Sequence, residues 1–165
     1  MAIKRLGRQT IRLTSAPSIA AAASVGGKKE GDGPLGKWFD HISEDPYFGH
    51  KSWEQAESAM LERCFSLCCD KAKLSPSQLD YLFAGDLLNQ CVGSTFAARR
   101  LPVPYFGVYG ACSTMAESLS LAAMAVDGGF ADAVCAMTSS HFCSAERQFR
   151  LPLEYGGQRT PTIYY

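Results

Sequence analysis

No segment of this chain has the roughly 20 consecutive apolar residues that a membrane-spanning helix needs, although hydrophobic residues make up 47% of its 165. Net charge is also missing. Sixteen Lys and Arg balance 16 Asp and Glu, and a pI of about 6.8 offers no basic field for a nucleic-acid backbone. Nucleic acid is therefore not an expected partner. The seven cysteines contain no CxxC pair, which argues against a zinc ribbon and a thioredoxin-type redox motif. An odd count fits a disulfide framework poorly, so a reducing compartment is expected. A secretory leader is not expected either: Lys4, Arg5, Arg8 and Arg12 precede Ile19-Ala20-Ala21-Ala22-Ala23, but Ser15, Pro17 and Ser18 interrupt the apolar middle that export requires. A soluble chain without a signal peptide or transmembrane helix is the expectation.

What is present is an alternation of strand and helix patterns. Thr10-Ile11-Arg12-Leu13 alternates like a short strand, and 28–36 (KKEGDGPLG) reads as an exposed turn. Ser52-Trp53-Glu54-Gln55 resembles a capping box, and Trp53, Ala56, Met60, Cys64, Leu67 and Cys68 then recur at helical spacing. Cys64 and Cys68 share a helix face, which suits core packing rather than metal binding. Ser75-Pro76-Ser77-Gln78 opens a turn into the apolar strand Tyr81-Leu82-Phe83-Ala84, closed by Gly85-Asp86. Leu87–Arg99 then reads as a helix, Val103–Val108 as a strand, Ser113–Val126 as a helix and Ala131–Met137 as a strand. The spacings fit right-handed crossovers in a mostly parallel sheet, an α/β fold. Residues 118–126 are apolar on nearly every side, which calls for a helix covered by more protein than this chain supplies.

Chemistry concentrates in Tyr109-Gly110-Ala111-Cys112-Ser113-Thr114, between the strand at 103–108 and the apolar helix that follows. Such an elbow places a side chain where free N–H groups and the positive end of a helix dipole converge. Cys112 there suits a nucleophile, the floor of an anion pocket, or a small residue filling a tight turn. Two effects compete at its thiol: the helix start favours thiolate, while burial among Phe106, Tyr109 and Met115 favours the neutral form. Asp86 reads as a cap of the following helix, either alone or together with a ligand contact. Ser140 and His141 follow the last strand, at the sheet edge where open α/β folds collect ligands; a loop histidine beside Phe142 is also a common hydrogen-bonded packing residue. Arg147 and Arg150 are expected to pair with Glu146 or Glu154 at the surface.

These residues carry a resemblance. The order of strand, helix, strand ending in Gly110-Ala111-Cys112-Ser113-Thr114, buried helix and strand resembles the first half of the thiolase superfamily, which includes the β-ketoacyl synthases. Within it, Lys29–Gly36, Ala84-Gly85-Asp86-Leu87-Leu88-Asn89-Gln90, Phe106–Thr114, Thr138-Ser139-Ser140-His141, Ala145–Arg150 and Glu154-Tyr155-Gly156-Gly157-Gln158 are similar to the stage V sporulation protein AD family. The similarity runs from about Thr10 to Gln158.

The resemblance implies a thiolase-like layered α/β fold, with residues 1–165 forming the N-terminal half of a two-half architecture and 1–9 and 159–165 as atypical ends. It implies binding of dipicolinic acid, a flat pyridine dicarboxylate, for uptake with calcium into the developing spore. No resident cofactor is expected; calcium would accompany the ligand. The implied ligand-binding residues are Asp86, Cys112, Ser113, Ser140 and His141. Implied partners are the membrane-embedded proteins of the same spore transport system, with the chain peripheral to the spore inner membrane, and a homodimer in the complete protein. Two alternatives stand beside this one: a β-ketoacyl synthase or thiolase-type acyltransferase using Cys112 as acyl acceptor, and a non-functional truncated fragment. The superfamily's histidine and remaining catalytic partners belong to the half not present here. No Cys/His/Asn set can be assembled, so binding is the better expectation than catalysis.

Overall fold

A computed structural model of the chain describes residues 4–88 and 91–145. β1 (Arg5–Leu6) and β2 (Thr10–Ile11) form a small antiparallel hairpin. β3 (Val25–Gly27) runs parallel to β4 (His41–Ser43), and the single helical turn α1 (Lys28–Gly31) lies between them. That turn falls inside the stretch expected to be an exposed loop. The remaining elements are α2 (Trp53–Ala72), β5 (Tyr81–Gly85), α3 (Val92–Ala98), β6 (Tyr105–Gly107), α4 (Thr114–Asp127) and β7 (Val134–Thr138).

β5 is the central strand of the principal sheet, parallel to β6 on one side and β7 on the other. The register sets Leu82 against Tyr105 and Cys135, and Ala84 against Gly107 and Met137. Asp80 fixes one end of this sheet, because its Oδ2 accepts the N–H groups of Asp132 (2.8 Å) and Ala133 (3.1 Å) just before β7. The fold is the expected α/β arrangement with mostly parallel strands.

Side chains alternate across β5. Leu82 and Ala84 point to the α2 and α3 side, where they close a core with Leu61, Phe65, Cys69, Ala97, Ala98, Val103 and Met137. Tyr81 and Phe83 point the other way, where Phe83 stacks on Phe106 of β6 and Tyr81 meets that ring edge-on. α4 packs on β5 and β7. It turns the small residues Thr114, Ser118 and Ala122 inward and leaves Met115, Leu119 and Met124 open to solvent. Among the described residues the helix is thus covered on one face only.

α2 corrects the expected stripe. Its buried face is Ala56, Glu57, Ser58, Leu61, Phe65 and Cys69, whereas Trp53, Met60, Cys64, Leu67 and Cys68 are only half-buried. The seam is rotated by about one position because a carboxylate and a hydroxyl occupy part of it. Cys64 and Cys68 instead lie under the segment before β3, their Sγ atoms near the carbonyls of Ala23 (3.3 Å) and Ala21 (3.8 Å). Ser52 caps the helix as expected, accepting the Gln55 N–H at 3.3 Å, but Gln55 turns back to the Lys51 N–H rather than to Ser52. At Ser75 the capping box closes in both directions.

The expected helix over Leu87–Arg99 is shorter. α3 begins at Val92, after Cys91 takes a left-handed backbone with φ of 54°. The ion pairs expected among Glu146, Arg147, Arg150 and Glu154 lie outside the described residues. Among the described residues, no helix is long and apolar enough to cross a membrane.

Candidate functional site at the carboxyl edge of the sheet

Three parallel strands end together, and the candidate residues follow them. Beyond β5 comes Asp86, beyond β6 the elbow 108–113, and beyond β7 the segment 139–141. Two backbone bonds bring these exits side by side: Val108 N–H to Ala84 O (2.9 Å) and Ser139 N–H to Gly85 O (3.2 Å). Gly85 is the hub. A Cβ there would collide with the Val108 carbonyl and the Thr114 methyl, so no larger residue lets the elbow approach the central strand.

The elbow itself is strained. Ala111 adopts φ of 49°, in the left-handed region that costs a non-glycine residue of order 1 kcal/mol or more. A short 3-10 turn, Ala111–Ser113, precedes α4, so Cys112 lies just before the helix. Buried Thr114 braces the turn: its hydroxyl accepts the Gly110 N–H (3.2 Å) and donates to the Ala111 carbonyl (2.8 Å). Ser113 is exposed, and its hydroxyl donates to Gly110 O (2.7 Å) instead of capping α4. Cys112 is exposed as well. The apolar surroundings expected for its thiol are not closed, because Phe106 and Tyr109 are about half exposed (50% and 54%) and Met115 is open. The burial expected for this cysteine is therefore absent.

Asp86 is wholly buried and committed to the fold. Its Oδ1 accepts the Leu88 N–H (2.9 Å), and its Oδ2 accepts both the N–H and the hydroxyl of Ser94 (2.7 Å each). Ser94 lies in the first turn of α3, so Asp86 supplies the cap that Cys91 does not. Tyr105 Oη completes the chain, 3.0 Å from Ser94 Oγ. Of the two readings of Asp86, the geometry favours the cap alone.

Ser140 is exposed, whereas His141 is buried with Nε2 at 2.6 Å from Pro46 O. A carbonyl only accepts, so Nε2 carries a hydrogen and, in the neutral ring, Nδ1 is a bare acceptor. That Nδ1 is buried and lacks a partner. Lys29 of α1 places its ammonium 5.4 Å from the ring centroid of Phe142, the residue after His141 in sequence.

Glu57 escaped the sequence reading. This buried side chain of α2 meets the segment after β7: Oε1 accepts from Ser139 Oγ (2.7 Å) and Oε2 lies 2.8 Å from Ser144 Oγ. Burial pushes its carboxyl above the ordinary range and nearby Asp86 adds to this, while the two serine hydroxyls and His141 oppose it. A glutamate at i, i+4 and i+8 spacing with Leu61 and Phe65 was the available signal. Lys29, Thr114, Ser94, Ser139 and Ser144 were likewise not singled out as site residues.

The profile of the family "Stage V sporulation protein AD" matches residues 7–165. The chain belongs to that family. Stage V sporulation protein AD of Bacillus subtilis (strain 168) is 43% identical over 160 residues, covering 97% of this chain and 47% of the relative. The chain thus spans about half the length of the curated relative it matches. Among the described residues, no group of three or more His, Cys, Asp and Glu side chains gathers as a metal site.

Proposed function

We propose that this chain contributes to sporulation by binding dipicolinic acid at the carboxyl edge of its parallel sheet, for uptake with calcium into the developing spore. The observation that carries the reading is the convergence of three loops at Gly85, within a chain of the stage V sporulation protein AD family. An aromatic dicarboxylate needs hydrogen-bond donors, a positive potential and a flat apolar wall. The start of α4 supplies a positive dipole end beside Cys112 and Ser113. Lys29, Ser140 and the His141 ring stand at the exit of β7, and Phe106, Tyr109 and Phe142 offer exposed aromatic surface. Asp86, with its oxygens occupied, orders this edge rather than touching the ligand. In this reading the chain works beside membrane-embedded partners of the same transport system, at the spore inner membrane.

Isothermal titration of the 165-residue chain with dipicolinate, with and without calcium, tests the reading. Saturable binding that Cys112→Trp abolishes, in a variant whose circular dichroism is unchanged, is the expected result. No saturable binding to the folded chain overturns it.

A further inference from the structure

We propose that Glu57 is held as a neutral carboxylic acid whose proton lies between Oε2 and Ser144 Oγ, and that this proton keeps the segment carrying Ser140 and His141 docked on α2. The hydrogen-bond inventory points there first. Ser144 Oγ lies 2.8 Å from Glu57 Oε2 and 3.0 Å from the His141 carbonyl, yet a hydroxyl has one hydrogen to donate. If Glu57 carries the proton, every contact is used: Oε2–H donates to Ser144 Oγ, Ser144 donates to His141 O, and Ser139 donates to Oε1. If Glu57 is ionised, Ser144 serves only one of its two acceptors.

The surroundings point the same way. The ionisable groups facing Glu57 are Asp86, from the end of β5, and His141, from beyond β7. α3 contributes Gly93, wedged between the two carboxylates: a Cβ there would lie 3.2 Å from Glu57 Cδ and 3.4 Å from Asp86 Cγ. None of the ion pairs among the described residues brings a Lys or Arg to Glu57. Two buried anions across one glycine, with no Lys or Arg paired to Glu57 among the described residues, repel each other. Each oxygen of Asp86 accepts a backbone N–H, which cannot reverse and accept, and only Oδ2 also meets a hydroxyl, that of Ser94, whereas both partners of Glu57 are hydroxyls, which can. Of the two acids, Glu57 is the one whose partners are all free to accommodate a proton.

Ionisation then loosens the segment. With the folded pKa raised by burial, the docked form is favoured below the exposed-glutamate range and loses that advantage as pH rises through the folded pKa. Between those two values the opening constant of 139–145 rises roughly tenfold per pH unit, and above the folded value it levels off. The link to ligand binding rests on the dipicolinate reading above; the proton does not.

Two measurements on the 165-residue chain, without ligand, test this. In a 13C NMR titration, the Glu57 carboxyl carbon is expected to keep its protonated shift at pH values where exposed glutamates have ionised; titration together with them overturns the proposal. Hydrogen exchange of 139–145, corrected for intrinsic base catalysis, is expected to show the tenfold rise per unit in the unmutated chain and none in Glu57→Gln, whose amide donates and accepts as the acid does. A pH-independent opening in the unmutated chain, or the same rise in the variant, overturns it as well. Failure of dipicolinate to bind alters neither readout.

Discussion

Lys4 and Asp127 tie the first strand of the chain to the last turn of α4. The Lys4 ammonium donates to the Asp127 carboxylate and, at 2.7 Å, to its backbone carbonyl. An acid at a helix C-terminus opposes the helix dipole, and the ammonium offsets both the carboxylate and the exposed carbonyl end. Asp127 also accepts the Ser15 N–H (2.6 Å) and hydroxyl (2.9 Å), so it clips the hairpin β1–β2 and the connection after it onto α4. Lys4 and these Ser15 bonds hold its carboxyl well below the usual carboxylate range. The clip's contribution is therefore present above the unfolded pKa and is lost only as pH falls through the much lower folded value. Asp127→Asn is expected to release the hairpin, read as several-fold faster tryptic cleavage at Arg5, Arg8 and Arg12 at neutral pH with the sheet unaffected.

Gly85→Ala tests the meeting of the three loops. The added methyl has to displace the Val108 carbonyl or Thr114, an overpacking that costs about 1–3 kcal/mol. A lowered urea midpoint with an unchanged slope is the expected outcome. Wild-type stability in this variant would show that the elbow does not press against β5.

Thiol labelling ranks the cysteines. Cys112 is the only one of the seven that is exposed, whereas burial raises Cys64, Cys68 and Cys69 and pushes Cys135 up to about 12. Brief iodoacetamide treatment at neutral pH should modify Cys112 first and Cys135 last, located by peptide mass spectrometry. A stable acyl adduct on Cys112 after incubation with an acyl-CoA would favour the acyltransferase alternative over the binding reading.

The outer face of α4 predicts association. Met115, Leu119 and Met124, with Phe106 and Tyr109 nearby in sequence and fold, are apolar and exposed. The chain should elute in size-exclusion chromatography ahead of a 17.9 kDa monomer, and Leu119→Glu should shift it back. Elution of the unmutated chain as a monomer at high concentration contradicts this.

The sequence disclosed those parts of the fold that depend on short range. β5 and β7 are continuous apolar runs, α4 is a long apolar helix, and the turn at Ser75 carries its own capping chemistry; each was legible within a few residues of its bounds. α3 was overextended because Leu87 to Cys91 look helical by composition, whereas Asp86 draws in the N–H groups of Leu88 and Ser94 and Cys91 takes a left-handed backbone just before Val92. The face of α2 was misplaced because the stripe was drawn through apolar residues alone, and Glu57 and Ser58, which share the buried face, are polar. Their partners, Ser139, Ser144 and the Gly93 carbonyl, stand far along the chain, and no local pattern announces them. The site shows the same division: the Cys112 elbow was visible as a junction of two patterns, but its exposure and the Thr114 brace depend on how α4 settles on the sheet.

The central position of β5 also governs the order in which the chain can assemble. Neither of its neighbours is reached by a hairpin: Leu82 waits for Tyr105, and Tyr81 for Val134, each pairing closing a long loop before its hydrogen bonds form. During synthesis from the N-terminus, β5 therefore emerges with both edges bare, gains β6 first, and keeps its second edge unpaired until residues 134–138 leave the ribosome. Tyr81-Leu82-Phe83-Ala84 is β-prone and uncharged, so that interval is the moment of greatest exposure to aggregation. Slower translation between α4 and β7 would lengthen it, and the yield of folded chain depends on how quickly that last strand arrives.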